Sequence, residues 1–339
     1  MKKTVTLISL LLAFALVLAA CGTNSDTNAG DDFGANSTNQ SNNSSSDLPD
    51  AGSNSSDSTN PGNSGRDNSP APAQSNFDST RNISILARED GSGTKTAFME
   101  IIGLKGKADP ANVIIQTSTA GILTEVRGNP YAIAYESLGY VTSEVKVLTI
   151  DGVQATVDNI KNGTYKISRP LSVVYQQATL GNDVNMAFYT FLQSSNAQQI
   201  ISDEGYVSLA DNAPAYTING SLSGSIDISG STSLQPLMTE LAEAFENLQP
   251  NISVTVSGGG SGTGYNNAEE GVSEFGMISE EFNIEKAPSC TDYVVCKDGI
   301  AVIVHVDNPL GNITMDQLRN IYDVDAEADA ITVWNEIIQ

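Results

Sequence analysis

Three segments of this chain share one local pattern, in which a short apolar run leads into a loop of glycine and hydroxyl residues. The loops read REDGSGT at 88–94, GSTS at 230–233 and GGGSGTG at 258–264. Isoleucine or valine residues precede each loop with the spacing of a strand, and apolar residues at helical spacing follow the first two loops. The sequence therefore predicts three strand–loop–helix units, the third opening a short helix.

These loops have the chemistry of anion sites. A helix N-terminus leaves backbone N–H groups unpaired and carries the positive end of the helix dipole. Glycine lets the backbone approach a ligand closely, and serine and threonine add hydroxyl donors. Arg88, four residues before Ser92, offers a planar fork that fits two oxygens of a tetrahedral anion. One such loop is an ordinary helix cap, but three of them with an arginine predict an oxyanion site.

The N-terminus predicts export and a lipid anchor. Lys2 and Lys3 precede an apolar run at 4–18, which is the layout of a secretory signal. The sequence LAAC that ends at Cys21 resembles the lipobox of bacterial lipoproteins, in which the cysteine is acylated. We expect a lipoprotein signal peptide at 1–21 and a protein held at the outer face of the cytoplasmic membrane. An ordinary signal peptide with an incidental cysteine is the alternative.

The remaining chain has two parts that differ in composition. Residues 22–81 are mostly Ser, Asn, Gly, Asp and Pro, so we expect a disordered tether. Residues 82–339 are globular in composition and long enough for two lobes with separate cores. The formal net charge of −24 argues against nucleic acid and against anionic lipid surfaces.

Few residues suggest a metal, a cofactor or catalysis. The one histidine, His305, lies in an apolar run and is interpreted as a strand residue, and the sequence has no zinc-like His/Cys cluster. A secreted phosphatase is disfavoured because no base stands beside the serine and glycine loops. Cys290 and Cys296 either form a disulfide, which an exported chain permits, or remain free thiols.

The chain resembles the phosphate-binding proteins of phosphate ABC transporters over nearly all of 82–339. The segments that carry the resemblance are REDGSGT at 88–94, NPYAIAYESLGYV at 129–141, ISGSTSLQPL at 228–237, SGGGSGTGYNNA at 257–268 and DGIAVIVHVDNPL at 298–310. The resemblance implies an α/β protein with the two-lobe type II periplasmic-binding-protein fold. It also implies a protein that captures inorganic phosphate for ABC transporter permease subunits, without a cofactor.

The order of these segments is unusual for that family. Residues 82–217 resemble its second half and residues 224–339 its first half. We therefore expect a circularly permuted chain, with the family's natural ends joined through about residues 212–224. A fragment of a tandem gene is the alternative. The permuted arrangement implies one lobe from 82–167 and 300–339, a second lobe from 168–299, and a two-segment hinge between them.

The resemblance also implies the ligand-binding residues. Asp90 stands where the family has an acid that orients the arginine, and Ser279 stands where many members have an aspartate. A serine both donates and accepts, so phosphate is expected to be separated from sulfate less sharply, unless Glu280 supplies the carboxylate. The residues expected to bind phosphate are Arg88, Ser92, Gly93, Thr94, Thr232, Ser233, Ser261 and Ser279.

Two other functions stay open at this point. The same fold could bind another oxyanion, such as sulfate or molybdate, or could serve as a surface sensor or adhesin. Fold alone does not decide between them.

Overall fold

The structure is a computed structural model that describes residues 77–338. The predicted signal peptide at 1–21, its lipidated Cys21 and nearly all of the tether at 22–81 lie outside the described residues. Within 77–338, no helix is both long and apolar enough to cross a membrane.

The described residues form eleven strands and eight α-helices. The strands are β1 (Ser84–Arg88), β2 (Ile114–Gln116), β3 (Ala132–Ser137), β4 (Val145–Val147), β5 (Thr149–Ile150), β6 (Ser168–Gln176), β7 (Gly224–Gly230), β8 (Ile252–Ser257), β9 (Phe275–Ile278), β10 (Cys290–His305) and β11 (Asn312–Ile313). The helices are α1 (Gly93–Ile101), α2 (Thr119–Gly128), α3 (Val157–Lys161), α4 (Asp183–Leu192), α5 (Ser195–Asp203), α6 (Gln235–Leu248), α7 (Ser261–Glu269) and α8 (Met315–Tyr322).

All three predicted units are confirmed as β1–α1, β7–α6 and β8–α7. The main sheet has the order β2-β1-β3-β10-β6-β9-β7-β8, with β4 also paired to β10. The strands that lead into the three loops run parallel to their neighbours, with β1 beside β3 and β7 beside β8 and β9. Strand β10 runs antiparallel to β1 and β3 but in the same direction as β7, β8 and β9. The two sets of strands therefore point their carboxyl ends at each other from the two ends of β10, and the three loops meet between them.

Strand β10 joins two separate hydrophobic cores. Its first part, Cys290 to Gly299, pairs with β6, and Ile300 to Val304 pair with β3. The first core contains five buried aromatic residues: Phe98, Tyr135, Tyr165, Tyr322 and Trp334. The second core contains Phe188, Phe245 and Phe275. The chain therefore has the α/β, two-lobe arrangement that was expected, although the exact lobe boundaries stay a prediction.

The two halves that were predicted to be permuted share one sheet and one core. The Ile83 N–H donates to the carbonyl of Thr332 at 2.8 Å, and the Trp334 N–H donates to the carbonyl of Arg81 at 3.2 Å. Trp334 is fully buried in the same core as Ile83. This is the proximity that a permuted chain needs between β1 and the segment near 334. Circular permutation itself stays a prediction.

Of the two alternatives left open for Cys290 and Cys296, the structure has the free thiols, and both cysteines are buried. They lie on one strand, β10, six residues apart, which corresponds to roughly 20 Å of extended chain. A disulfide needs Cα atoms within about 7 Å. The two side chains also pack into different clusters, so neither can reach the other. Burial raises the pKa of the Cys290 thiol to about 11.

Candidate functional site

The site forms where the loops of the two cores meet. Arg88 ends β1 in the first core, and Thr232 follows β7 in the second core. The Arg88 Nη2 donates to the Thr232 Oγ1 at 3.0 Å, and the hydroxyls of Thr94 and Ser233 lie 2.8 Å apart. The Gly262 N–H also donates to the carbonyl of Gly91 at 2.9 Å. The two cores are therefore in direct polar contact across the cleft between them.

A second group of contacts completes the cluster. The Ser279 N–H donates to the Ser261 Oγ at 3.1 Å, and the two hydroxyl oxygens lie 3.3 Å apart. Gly93 faces this pair so closely that a Cβ atom there would lie 2.3 Å from the Ser261 Oγ. Ser92 caps α1 next to Gly93. The structure thus brings seven of the eight expected ligand residues into one cluster, and Ser92 adjoins it through Gly93 while its own hydroxyl accepts from the Lys95 N–H.

Helix N-termini supply backbone donors to this cluster. Helix α1 begins at Gly93 and α7 begins at Ser261. Ser231 accepts bonds from the N–H groups of Ser233 and Leu234 and so forms the turn that opens α6. Gly260 precedes α7 with a φ of 85°, a left-handed conformation that glycine adopts without strain. Three helix dipoles therefore have their positive ends at one place.

Arg88 is the guanidinium at the centre of the cluster, and it is almost fully buried. Its Nε and Nη2 each donate to the Glu89 carboxylate at 3.0 Å, and its Nη1 lies 3.4 Å from Glu136 Oε2. Burial by itself lowers the pKa of Arg88, but Glu136 and Glu89 more than offset this and raise the pKa above its usual value. Arg88 is therefore a permanent cation in the cleft.

The prediction that Asp90 orients Arg88 is wrong. The Asp90 side chain is 99% exposed and pairs with Lys95 at 2.8 Å. The hydrogen bond from Lys95 lowers the pKa of Asp90. Because Asp90 lies two residues beyond the end of β1, in the turn before α1, its side chain points to solvent. Glu89, adjacent to the arginine, holds the guanidinium instead.

Besides Glu89, sequence reasoning missed two residues of the cluster, Glu136 and Thr119. Thr119 begins α2, and its hydroxyl donates to Glu136 Oε1 at 3.1 Å while accepting from Arg88 Nη1 at 3.3 Å. Strand β3 pairs in register with β1, with Ser84 opposite Ala132, so the same register sets Arg88 opposite Glu136. An acid that ends the apolar run AIAY beside the arginine's strand was the available signal.

Glu280, which was considered as a substitute for the missing aspartate, has another partner. Its carboxylate is buried and accepts from Lys286 at 2.6 Å. The neighbouring Ser279 carbonyl accepts from Arg169, which forms a buried ion pair with Asp298 at 3.0 Å. The latter pair lies where β6 meets β10, so it fixes the Ser279 backbone to the junction of the two cores.

The chain is similar to known proteins in both sequence and structure. A protein-family profile described as a PBP superfamily domain matches residues 68–196 and 216–338. The phosphate-binding protein PstS 2 of Streptococcus pneumoniae is 35% identical over 264 residues, which are 75% of this chain and 87% of that protein. Its namesake in Streptococcus agalactiae is 36% identical with the same coverage.

Among solved structures, similarity extends to the phosphate-binding protein of a phosphate ABC transporter from Streptococcus pneumoniae. The TM-score is 0.61 at 34% identity, and the match covers 76% of this chain and 100% of that one.

Proposed function

Because this chain belongs to the PBP superfamily and, within it, to the phosphate-binding proteins of ABC transporters, we propose that it captures inorganic phosphate between its two lobes and delivers it to an ABC permease. Proteins of this kind act outside the cytoplasm. The relatives are substrate-binding transport proteins and not enzymes. We propose that this chain, too, binds its ligand without transforming it.

One observation carries the proposal: a buried arginine and hydroxyls from both lobes meet at three helix N-termini. Arg88 and Thr94 come from one lobe, and Thr232, Ser233 and Ser261 come from the other. A tetrahedral oxyanion can receive the guanidinium on one side and hydroxyl and backbone N–H donors on the others. We propose as ligand residues Arg88, Ser92, Gly93, Thr94, Thr232, Ser233, Ser261 and Ser279.

Capture requires the lobes to close on the ligand. We propose lobes at 82–167 with 300–339 and at 168–299, joined by the two segments that pair between β6 and β10. The contact of Gly262 with Gly91 links the lobes directly at 2.9 Å. We propose that this contact belongs to a closed form and that the permease recognises this form.

Titration calorimetry on the mature chain tests the ligand. We expect one phosphate per chain, with arsenate bound in the same way because it has the same shape and also keeps a proton at neutral pH. Sulfate and molybdate are expected to bind more weakly. Tight binding of sulfate or molybdate with no response to phosphate would instead support the function of a different oxyanion carrier, and no binding of any of the four would refute oxyanion capture.

We propose that acyl chains on Cys21 anchor the protein. The lipobox-like LAAC motif supports this, because two or more acyl chains give a stable membrane attachment where one gives a marginal one. The Cys21→Ser variant is expected to move from the membrane fraction to the soluble fraction, with loss of palmitate labelling. Cys290→Ser is the matched control and should stay in the membrane fraction. Palmitate label that persists in Cys21→Ser would show that the anchor lies elsewhere.

A further inference from the structure

Arg169 and Asp298 form a buried ion pair at the proposed hinge, where they lie opposite each other on β6 and β10. The Arg169 Nε and Nη2 donate to one oxygen of Asp298, at 3.3 and 3.0 Å. The remaining guanidinium nitrogen, Nη1, donates to the Ser279 carbonyl at 3.0 Å. One guanidinium therefore connects the proposed hinge to a proposed ligand residue.

The Ser279 carbonyl lies just past the end of a strand ladder. Strand β9 pairs with β6 from Gly276 to Ile278, and this pairing ends with Ile278 opposite Ser172. Pro170, two residues before Ser172, has no N–H and cannot donate to extend the ladder. The Arg169 side chain supplies a donor to the carbonyl instead, and it holds this peptide group in one orientation.

The backbone of Ser279 is held on both sides. Its N–H donates to the Ser261 Oγ at 3.1 Å, and its carbonyl accepts from Arg169. Its own Oγ lies 3.3 Å from the Ser261 Oγ and would lie 2.8 Å from a Cβ atom at Gly93. Because a fixed backbone fixes the direction of the side chain, the position of this hydroxyl in the cluster depends on Arg169.

The ion pair contributes little to stability by itself. Removing two charges from water costs about as much as their attraction returns, and a well-packed apolar pair is often as stable. Among the described residues, the second carboxylate oxygen of Asp298 is buried without a hydrogen-bond partner, which adds to this cost. We therefore attribute the pair to the geometry that it imposes on its surroundings.

We infer that Arg169 is a positioning residue, which holds Ser279 in the direction that binds the anion, and that Asp298 holds Arg169 in turn. The inference rests on the proposed function of the site. The planar guanidinium is suited to this role because its rigid fork reaches a carboxylate and a carbonyl at once. Arg169 acts on the ligand through Ser279.

The first test is calorimetry with phosphate on the Arg169→Lys variant of the mature chain. Lysine keeps the positive charge opposite Asp298 but has no rigid fork to reach the Ser279 carbonyl as well. We expect the Kd for phosphate to rise about 10-fold, from the loss of the hydrogen bond to that carbonyl. Thermal unfolding of the same samples shows whether the fold is intact.

Arg319→Lys is the matched control for this exchange. The Arg319 Nε donates to the Ile102 carbonyl at 2.8 Å, and its Nη1 pairs with Asp316 at 3.0 Å. This arginine therefore also joins a carboxylate to a backbone carbonyl, but it does so at the opposite end of α1 from the ligand cluster. Its replacement should leave the Kd for phosphate unchanged.

A double-mutant cycle with Ser279→Ala separates positioning from a general loss of structure. We expect Ser279→Ala alone to weaken phosphate binding about 10-fold. Arg169→Lys should then add less than about twofold, because the hydroxyl that it positions is gone. Losses that multiply in the double variant, to about 100-fold, would show independent effects and overturn the inference. Unchanged affinity in Ser279→Ala would also overturn it.

A second replacement guards against misfolding of Arg169→Lys. Arg169→Met combined with Asp298→Leu removes both charges in side chains of similar length, so stability should be retained. We expect the same loss of phosphate affinity, about 10-fold, at an unchanged unfolding temperature. Full phosphate affinity in this stable variant would show that the ion pair does not position the serine.

The outcomes separate this inference from the proposed function. If the unaltered protein binds no phosphate, the proposed function fails and the inference fails with it. If the unaltered protein binds phosphate and the Arg169 variants bind it within about twofold of the same Kd, only the inference is overturned.

Discussion

Replacing Arg88 by lysine is expected to weaken phosphate binding by about 30-fold to several hundred-fold. The loss of a charge-assisted pair to a dehydrated anion costs about 2–4 kcal/mol, and about 1.4 kcal/mol corresponds to a factor of ten. Lysine keeps the positive charge but cannot offer two parallel N–H donors to two oxygens. Calorimetry gives the change in Kd, and thermal unfolding of the same samples shows whether the fold is intact.

Lysine separates binding from stability better than alanine does, because Arg88 is buried between Glu89 and Glu136. An alanine would leave Glu136 as a buried charge without its cation, which costs about 3–5 kcal/mol of stability and confuses binding with folding. Arg127→Lys is the matched control, since Arg127 pairs with Glu144 on the surface. A change in the Kd for phosphate of less than about threefold in Arg88→Lys would show that Arg88 does not bind the ligand.

Gly93→Ala is expected to reduce phosphate affinity about 10- to 100-fold without reducing the stability of the fold. A Cβ atom at Gly93 would lie 2.3 Å from the Ser261 Oγ and 2.8 Å from the Ser279 Oγ. Overpacking of this kind costs about 1–3 kcal/mol. The two serines come from the opposite lobe, so the methyl group acts against closure. Alanine is also favoured over glycine in a helix by about 1 kcal/mol.

The control for this substitution is Gly128→Ala, because Gly128 ends α2 and has open space around its Cβ position. Both variants should unfold at or above the temperature of the unaltered protein, and only Gly93→Ala should bind phosphate more weakly. Equal affinity in the two variants would mean that the lobes do not close on Gly93.

Most of the fold could be predicted from local sequence patterns. Each of the three glycine and hydroxyl loops follows a strand and precedes a helix, because period-two and helical spacing report the structure of their own segment. The pairing of β10 first with β6 and then with β3 depends on contacts between distant segments, which no local pattern contains. The sequence left the state of Cys290 and Cys296 open for the same reason, since a spacing of six residues does not reveal that both cysteines lie on one extended strand.

The candidate site, too, could be predicted only where local sequence patterns mark its residues. The expected ligand residues lie together because all of them except Ser279 belong to a loop or helix start that the sequence marks. Ser279 follows β9 and was expected only from the family resemblance. Asp90 was misassigned because the direction of its side chain depends on the turn after β1, where it forms an ion pair with Lys95. Glu136 was missed because it becomes a neighbour of Arg88 only through the register of β1 and β3. Contacts between side chains on neighbouring strands depend on strand pairing, and a single sequence does not reveal that pairing.

A crystal structure of the protein grown with phosphate tests the central claim most directly. We predict a phosphate ion between the lobes, with oxygens about 3 Å from the Arg88 guanidinium, the Thr94 and Ser233 groups and Ser261. The rival position is the cavity of about 690 Å³ lined by Lys95, Lys105 and Lys107. Phosphate bound among those lysines, with Arg88 paired only to Glu89 and Glu136, would contradict the account.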